Sequence, residues 1–169
     1  MSFNLANVQD SQYIKPGYHK VQITRLEISN EKSTNGAHIV EIDFKNGAAI
    51  NNAKLFVTEK SLSALKSFMQ AINLNIPNVD YPTLDDLMLA LKGVFATVNK
   101  MSTYPIIFKG SESSKDGKVY ANLGFSPYNA AQAGMTIPEG DFEEGSTFWT
   151  KFLKKSTTPA AVTNSTSAI

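Results

Sequence analysis

The sequence predicts a mainly β protein: one five-stranded barrel with a helical insert and a short C-terminal helix. Three observations lead there. Apolar and polar residues alternate over several strand-length stretches, and between the third and fourth of these the period becomes helical. At 169 residues and 42% hydrophobic, the chain can bury one proper core but not two comfortable ones.

The first strand, "GYHKVQITRLEIS", places Val21 and Ile23 on one face and then Leu26 and Ile28 in the opposite parity. Strand side chains alternate with period two, so this change calls for a bulge near Thr24 and Arg25. "EKSTNGA" supplies a turn. "HIVEIDFKNG" follows as a second strand with Val40, Ile42 and Phe44 inward, and "AAINNAKLFVT" as a third beyond the Asn46-Gly47 turn. Leu62, Leu65, Phe68, Met69 and Ile72 then fall at helical spacing. A shorter helix is expected over "TLDDLMLALKG", with Thr83 and Asp86 in the form of a capping box and Gly93 at its end.

"GVFATVNKMS" reads as the fourth strand, with Val94, Ala96 and Val98 on one face and Phe95 and Thr97 on the other. "KVYANLGFS" reads as the fifth, with Val119, Ala121, Leu123 and Phe125 inward and Tyr120 and Asn122 outward. Between them, "YPIIFKGSESSKDG" reads as a long, lysine-bearing connection ending in an Asp-Gly turn. Three strands, a helical insert and two strands, with a coiled first strand and a long last hairpin, are the layout of an OB barrel. The face and loops of such barrels bind oligonucleotides or oligosaccharides. The domain is expected over residues 17–153, between a polar arm at 1–16 and a disordered tail at 154–169.

Composition narrows the chemistry. With no cysteine there can be no disulfide, thiolate zinc site or cysteine nucleophile, and no run approaches the roughly 20 apolar residues of a membrane helix. The N-terminus lacks a basic region followed by an apolar one, so a soluble, unsecreted protein is expected. A net charge of +1 provides no global field, and any nucleic-acid binding would need charge gathered on one face.

An enzyme is not expected. His19 and His38 stand apart with no flanking carboxylate, and "GSESSKDGK" lacks the spacing of a phosphate-binding loop. No metal or cofactor is called for. Asp85 and Asp86 open a helix, where negative charge complements the dipole. Outward aromatics say more, because an aromatic on the polar face of a strand forfeits the gain of burial unless something covers it. By parity Phe95 and Tyr120 point outward, and so does Phe56 if Leu55 and Val57 point in. Arg25, Lys54, Lys100, Lys109, Lys115 and Lys118 could neutralise phosphates beside them. Near the C-terminus, Phe148, Trp149 and Phe152 form an apolar patch on a short helix. It reads as a helix docked on the barrel or a dimer contact, and alternatively as a protein-interaction site.

Over Gly17 to Phe125 the chain resembles single-stranded DNA-binding proteins of bacteriophages, the small OB-fold group. The resemblance rests on "GYHKVQITRLEIS", "HIVEIDF", "SLSALKSFMQAI" followed by "LKGVFATVNK", and "GKVYANLGF". It implies non-catalytic coating of single-stranded DNA in phage replication and recombination in the bacterial host cytoplasm, with replication or recombination proteins as partners. It also implies contact through Phe56, Phe95, Tyr104, Phe108 and Tyr120 with Lys54, Lys100, Lys109 and Lys118. Many such proteins end in an acidic tail, whereas "TNSTSAI" carries no charged side chain. The alternative is an OB-like module for protein-protein contact or virion assembly.

Overall fold

In the computed structural model, residues 4–7, 12–124 and 136–155 are described. They form a mainly β fold in which one mixed sheet curls into a half-barrel, in the order β1-β4-β3-β2-β5-β6. Its axis is β2 (Gly17–Ile28). The first part of this strand, Gly17 to Val21, pairs antiparallel with β5 (Tyr104–Glu112), and the second, Gln22 to Ile28, pairs antiparallel with β3 (His38–Asn46). The β2–β3 register slips between Ile23 and Arg25, so Thr24 is the extra residue of a bulge. Val21 and Ile23 are buried before it and Leu26 after it, the parity change visible in the sequence.

A two-residue turn with Gly47 at φ 60° leads from β3 into β4 (Ala49–Val57). Val40, Ile42 and Phe44 of β3 enter the core, as their alternation predicts. The polar arm, by contrast, is not wholly loose. β1 (Gln12–Tyr13) lies parallel to Ala49 and Ile50, Ile14 donates to the Ile50 carbonyl at 2.9 Å, and the Ile14 side chain is buried in the core.

The helical insert comprises α1 (Leu62–Ala71) and α2 (Leu84–Phe95). Thr83 caps α2 by accepting from the Asp86 amide at 3.1 Å. Gly93 does not end the helix, and no strand forms over Val94 to Met101. The reason is periodicity: Met88, Leu91 and Phe95 share one buried helical face, which outweighs a single glycine costing about 1 kcal/mol. The fourth long strand is instead β5, within the stretch read as a connection. Tyr104, Ile106 and Phe108 of β5 face the main core while Ile107 faces a second cluster, so both faces are covered and no alternation marks the strand. β6 (Val119–Leu123) follows, with Tyr120 and Asn122 exposed as expected; Phe125 lies outside the described residues. Phe44 organises the main core, meeting Phe108 edge-on at 5.2 Å and Phe68 at 6.3 Å.

The C-terminal segment is spent on the sheet. β7 (Gly140–Asp141) pairs with Gly17 and Tyr18, α3 (Thr147–Lys151) follows, and β8 (Leu153–Lys154) pairs parallel with Gly110 and Ser111. Phe142 and Phe152 stack at 5.5 Å and bury Ile107, with Tyr18, Phe148 and Trp149 packed around them. The patch proposed for protein interaction is therefore an intramolecular seal, with Phe152 buried, and the folded region extends through Lys154. Gly17 is required there because a Cβ would strike the Gly140 carbonyl oxygen. Among the described residues, no helix is long and apolar enough to cross a membrane.

Truncation of Phe44 to Ala removes both edge-on partners of its ring and leaves a cavity. The expected loss is about 3–5 kcal/mol, read from the urea midpoint; Phe56→Ala on the exposed face should shift that midpoint far less.

Candidate nucleic-acid interface

Apart from the short β1, the sheet ends in β4 and β6, and four antiparallel steps between them leave these two strands running the same way. They meet through one side chain: Asn51 Nδ2 donates to the Ala121 carbonyl at 3.1 Å. Beyond this bridge a groove of about 830 Å³ separates them, with Asn52 to Phe56 on one wall and Asn122 to Gly124 on the other. Leu55, Phe68, Ile106 and Leu123 give it an apolar lining, and Lys54, Lys109 and Lys154 bring three ammonium groups to it. None of its lining residues carries a carboxylate.

Why Lys54 is unneutralised follows from the neighbouring strands. Glu41 sits directly across from Lys54 in the β3–β4 register, an arrangement that would ordinarily pair them. Arg25 takes Glu41 instead, Nη1 to Oε2 at 2.7 Å, and binds Asp43 through Nε at 2.8 Å. The bulge makes this possible by placing Arg25 opposite Asp43. Hydrogen bonds first to Asp43 and then to Glu41 raise the Arg25 pKa further above its already high range. Among the described residues, Lys54, Lys109 and Lys154 take part in no ion pair.

The structure brings Lys54, Phe56 and Lys109 together at this groove, with Phe56 51% exposed. Tyr120, 53% exposed, lies on the outer face of β6 two residues from Asn122. Its hydroxyl donates to Asp116 at 2.8 Å, which raises the phenol pKa. Asp116 is lowered by the Lys118 backbone amide and then by Tyr120. Lys118 is thus exposed on the β5–β6 hairpin beside a carboxylate, and neither it nor Tyr120 lines the groove. Lys100 is exposed in the turn after α2 and also lies apart from it.

Four expected contacts need correction. Phe95 is buried because it belongs to a helix rather than a strand, and Tyr104 and Phe108 are buried because their segment is β5 rather than a loop. Tyr104 also spends its hydroxyl on the Asn99 carbonyl at 3.0 Å. Arg25 is engaged by acids and is not a free cation. Sequence reasoning missed Lys154, which was assigned to the tail; the signal lay in Phe152, whose burial keeps the chain on the sheet, where Leu153 and Lys154 pair with Gly110 and Ser111.

The histidines do have carboxylate neighbours, both remote in sequence. His19 Nε2 lies 3.2 Å from Asp141 and 2.9 Å from the Lys15 carbonyl oxygen, holding β7 beside β2. His38 Nε2 lies 2.6 Å from Asp85, which also accepts from Lys32 at 3.0 Å, joining β3 to the start of α2. Among the described residues, no three His, Asp or Glu side chains gather as a metal-binding group. No protein-family model matches the chain, and no curated protein matches it.

The Lys32 and His38 hydrogen bonds hold the Asp85 carboxyl below the usual carboxylate range. A lowered folded-state pKa stabilises above the unfolded value, and that contribution fades as pH falls through the folded one. The stability difference between wild type and Asp85→Asn should therefore be full above the ordinary carboxylate range, roughly pH 4, and shrink at lower pH. Urea melts at stepped pH read it; a difference that grew on acidification would contradict the sign.

Proposed function

We propose that the protein is a non-catalytic, sequence-independent binder of single-stranded DNA built on an OB barrel, with the strand lying along the groove between β4 and β6. The observation that carries this reading is the meeting of Lys54, Lys109, Lys154 and exposed Phe56 in one groove without a carboxylate. Lysines there neutralise phosphates and release counterions, while a flat ring accepts any base by stacking.

The OB assignment is supported by the order of the five long strands. Numbered along the chain, they lie third, second, first, fourth, fifth, with the bulge in the first and the helices between third and fourth. Phe56 lies five residues beyond Asn51 and Tyr120 one before Ala121 on parallel strands. At ~3.3 Å per residue, Phe56 stands about 17 Å along the groove from that bridge, and Tyr120 lies outside the groove on the bridge's other side. The phage resemblance extends the proposal to coating DNA during replication and recombination in a bacterial host's cytoplasm. The competing protein-interaction or virion-assembly reading rests on the same exposed aromatics, Phe56 and Tyr120, while Phe148, Trp149 and Phe152 already pack around Ile107; the salt dependence below separates it from DNA binding.

The test is a titration with fluorescent oligo-dT, single-stranded and as duplex, across a salt series. Single-strand binding should weaken steeply with salt. Each of Lys54→Gln, Lys109→Gln and Lys154→Gln should lower the magnitude of the log–log slope by about 0.7. Phe56→Ala should cost roughly 1–3 kcal/mol, and Lys100→Gln should change the slope little. Absence of binding at low salt would overturn the proposal, as would affinity indifferent to all four groove substitutions.

A further inference from the structure

We propose that the same seam is a strand-addition site for a partner protein: an extended acidic peptide pairs with the free backbone edges of β4 and β6. The proposal stands apart from DNA binding, because it is argued from the unpaired backbone edges of β4 and β6.

Which way those groups face follows from the hairpin. A two-residue turn makes Asn46 and Ala49 a hydrogen-bonded pair, so alternate residues from there, Asn51, Ala53 and Leu55, turn their N–H and C=O toward β3. Ile50, Asn52, Lys54 and Phe56 turn theirs the other way. Two bonds agree: the Ile50 carbonyl accepts from Ile14 at 2.9 Å and the Phe56 carbonyl from the Ser61 hydroxyl at 3.0 Å. On β6, the bonds Ser113 to Lys118 and Gly124 to Ile107 set the even-numbered residues toward β5. Ala121 and Leu123 face the seam, which is why the Ala121 carbonyl reaches Asn51.

Among the described residues, the seam-facing peptide groups of Asn52, Lys54 and Leu123 have no backbone partner. At the closed end, buried Asn51 Oδ1 also lacks a donor. Unpaired edges are templates for a further strand. The groove determines what that strand must be. Its floor of Leu55, Ile106 and Leu123 suits apolar side chains at every second position, and its three unpaired lysines suit carboxylates at the alternate ones. Asn52 to Phe56 offers room for about five residues.

A fluorescein-labelled peptide Glu-Val-Glu-Val-Glu-Val-Glu is the probe, and a version with proline replacing each valine keeps the charge but removes half the amides. The first should bind, and the proline peptide should bind at least about tenfold more weakly, the equivalent of one or two lost hydrogen bonds. Asn52→Pro removes an outward-facing amide from the β4 edge, so it should weaken the valine peptide similarly. On the wild-type protein, saturating peptide should slow exchange of the Lys54 and Leu123 amides, a readout that needs no variant to fold. Equal affinity for the two peptides, or unchanged exchange at both amides, would overturn strand addition. Failure of DNA binding alone would appear as loss of the oligo-dT signal with peptide binding intact.

Discussion

The bend in β2 is the constraint on which the rest of the molecule depends. A straight strand of this length would pair with the same neighbours throughout and leave an open, flat sheet. One extra residue at Thr24 raises the local twist. The strand thereby hands its hydrogen bonds from β5 to β3 within a single run. Curling follows, and with it an enclosed interior where Phe44 can meet Phe68 and Phe108 at once. The bulge has an electrostatic result as well. It sets Arg25 opposite Asp43 and within reach of Glu41, and the acids of β3 are thereby withdrawn from Lys54 on β4. The curl of the sheet and the missing acidic partner of Lys54 both trace back to one inserted residue.

Much of the fold was legible because its signals were local. A parity change in β2, alternation in β3 and β6, a two-residue turn and a capping threonine each act over a few residues and appear in the letters. What failed was non-local. β5 is covered on both faces, and the cover over Ile107 comes from Phe142 and Phe152, more than thirty residues further along the chain; without it, "YPIIFKG" has no period to read. Phe95 failed for the opposite reason, since "VFATV" alternates well enough by itself and only the preceding helix, with Met88 and Leu91 in phase, decides its face.

The candidate site was legible in kind and only partly in place. Lysines and aromatics were read onto one face of the sheet, and Lys54, Phe56 and Lys109 do converge at one groove. Net charge could not reveal this convergence, because +1 describes the sum and not its distribution. Arg25 looked like a ligand because a sequence shows a charge but not its neutralising partners. Lys154 looked like tail because a two-residue strand has no pattern.

The pairing of Gly17 and Tyr18 with Gly140 and Asp141 bears on how the chain is made. β2 leaves the ribosome more than a hundred residues before its last partner strand and the Asp141 neighbour of His19. Until then an edge of the central strand stands open, and the outer face of β5 waits for Phe142 and Phe152. Contacts so distant in sequence slow folding and prolong exposure of strand edges. A nascent chain stopped before residue 140 would hold most of the main core but present two sticky surfaces, so the closing segment serves as a guard against association with other unfinished chains.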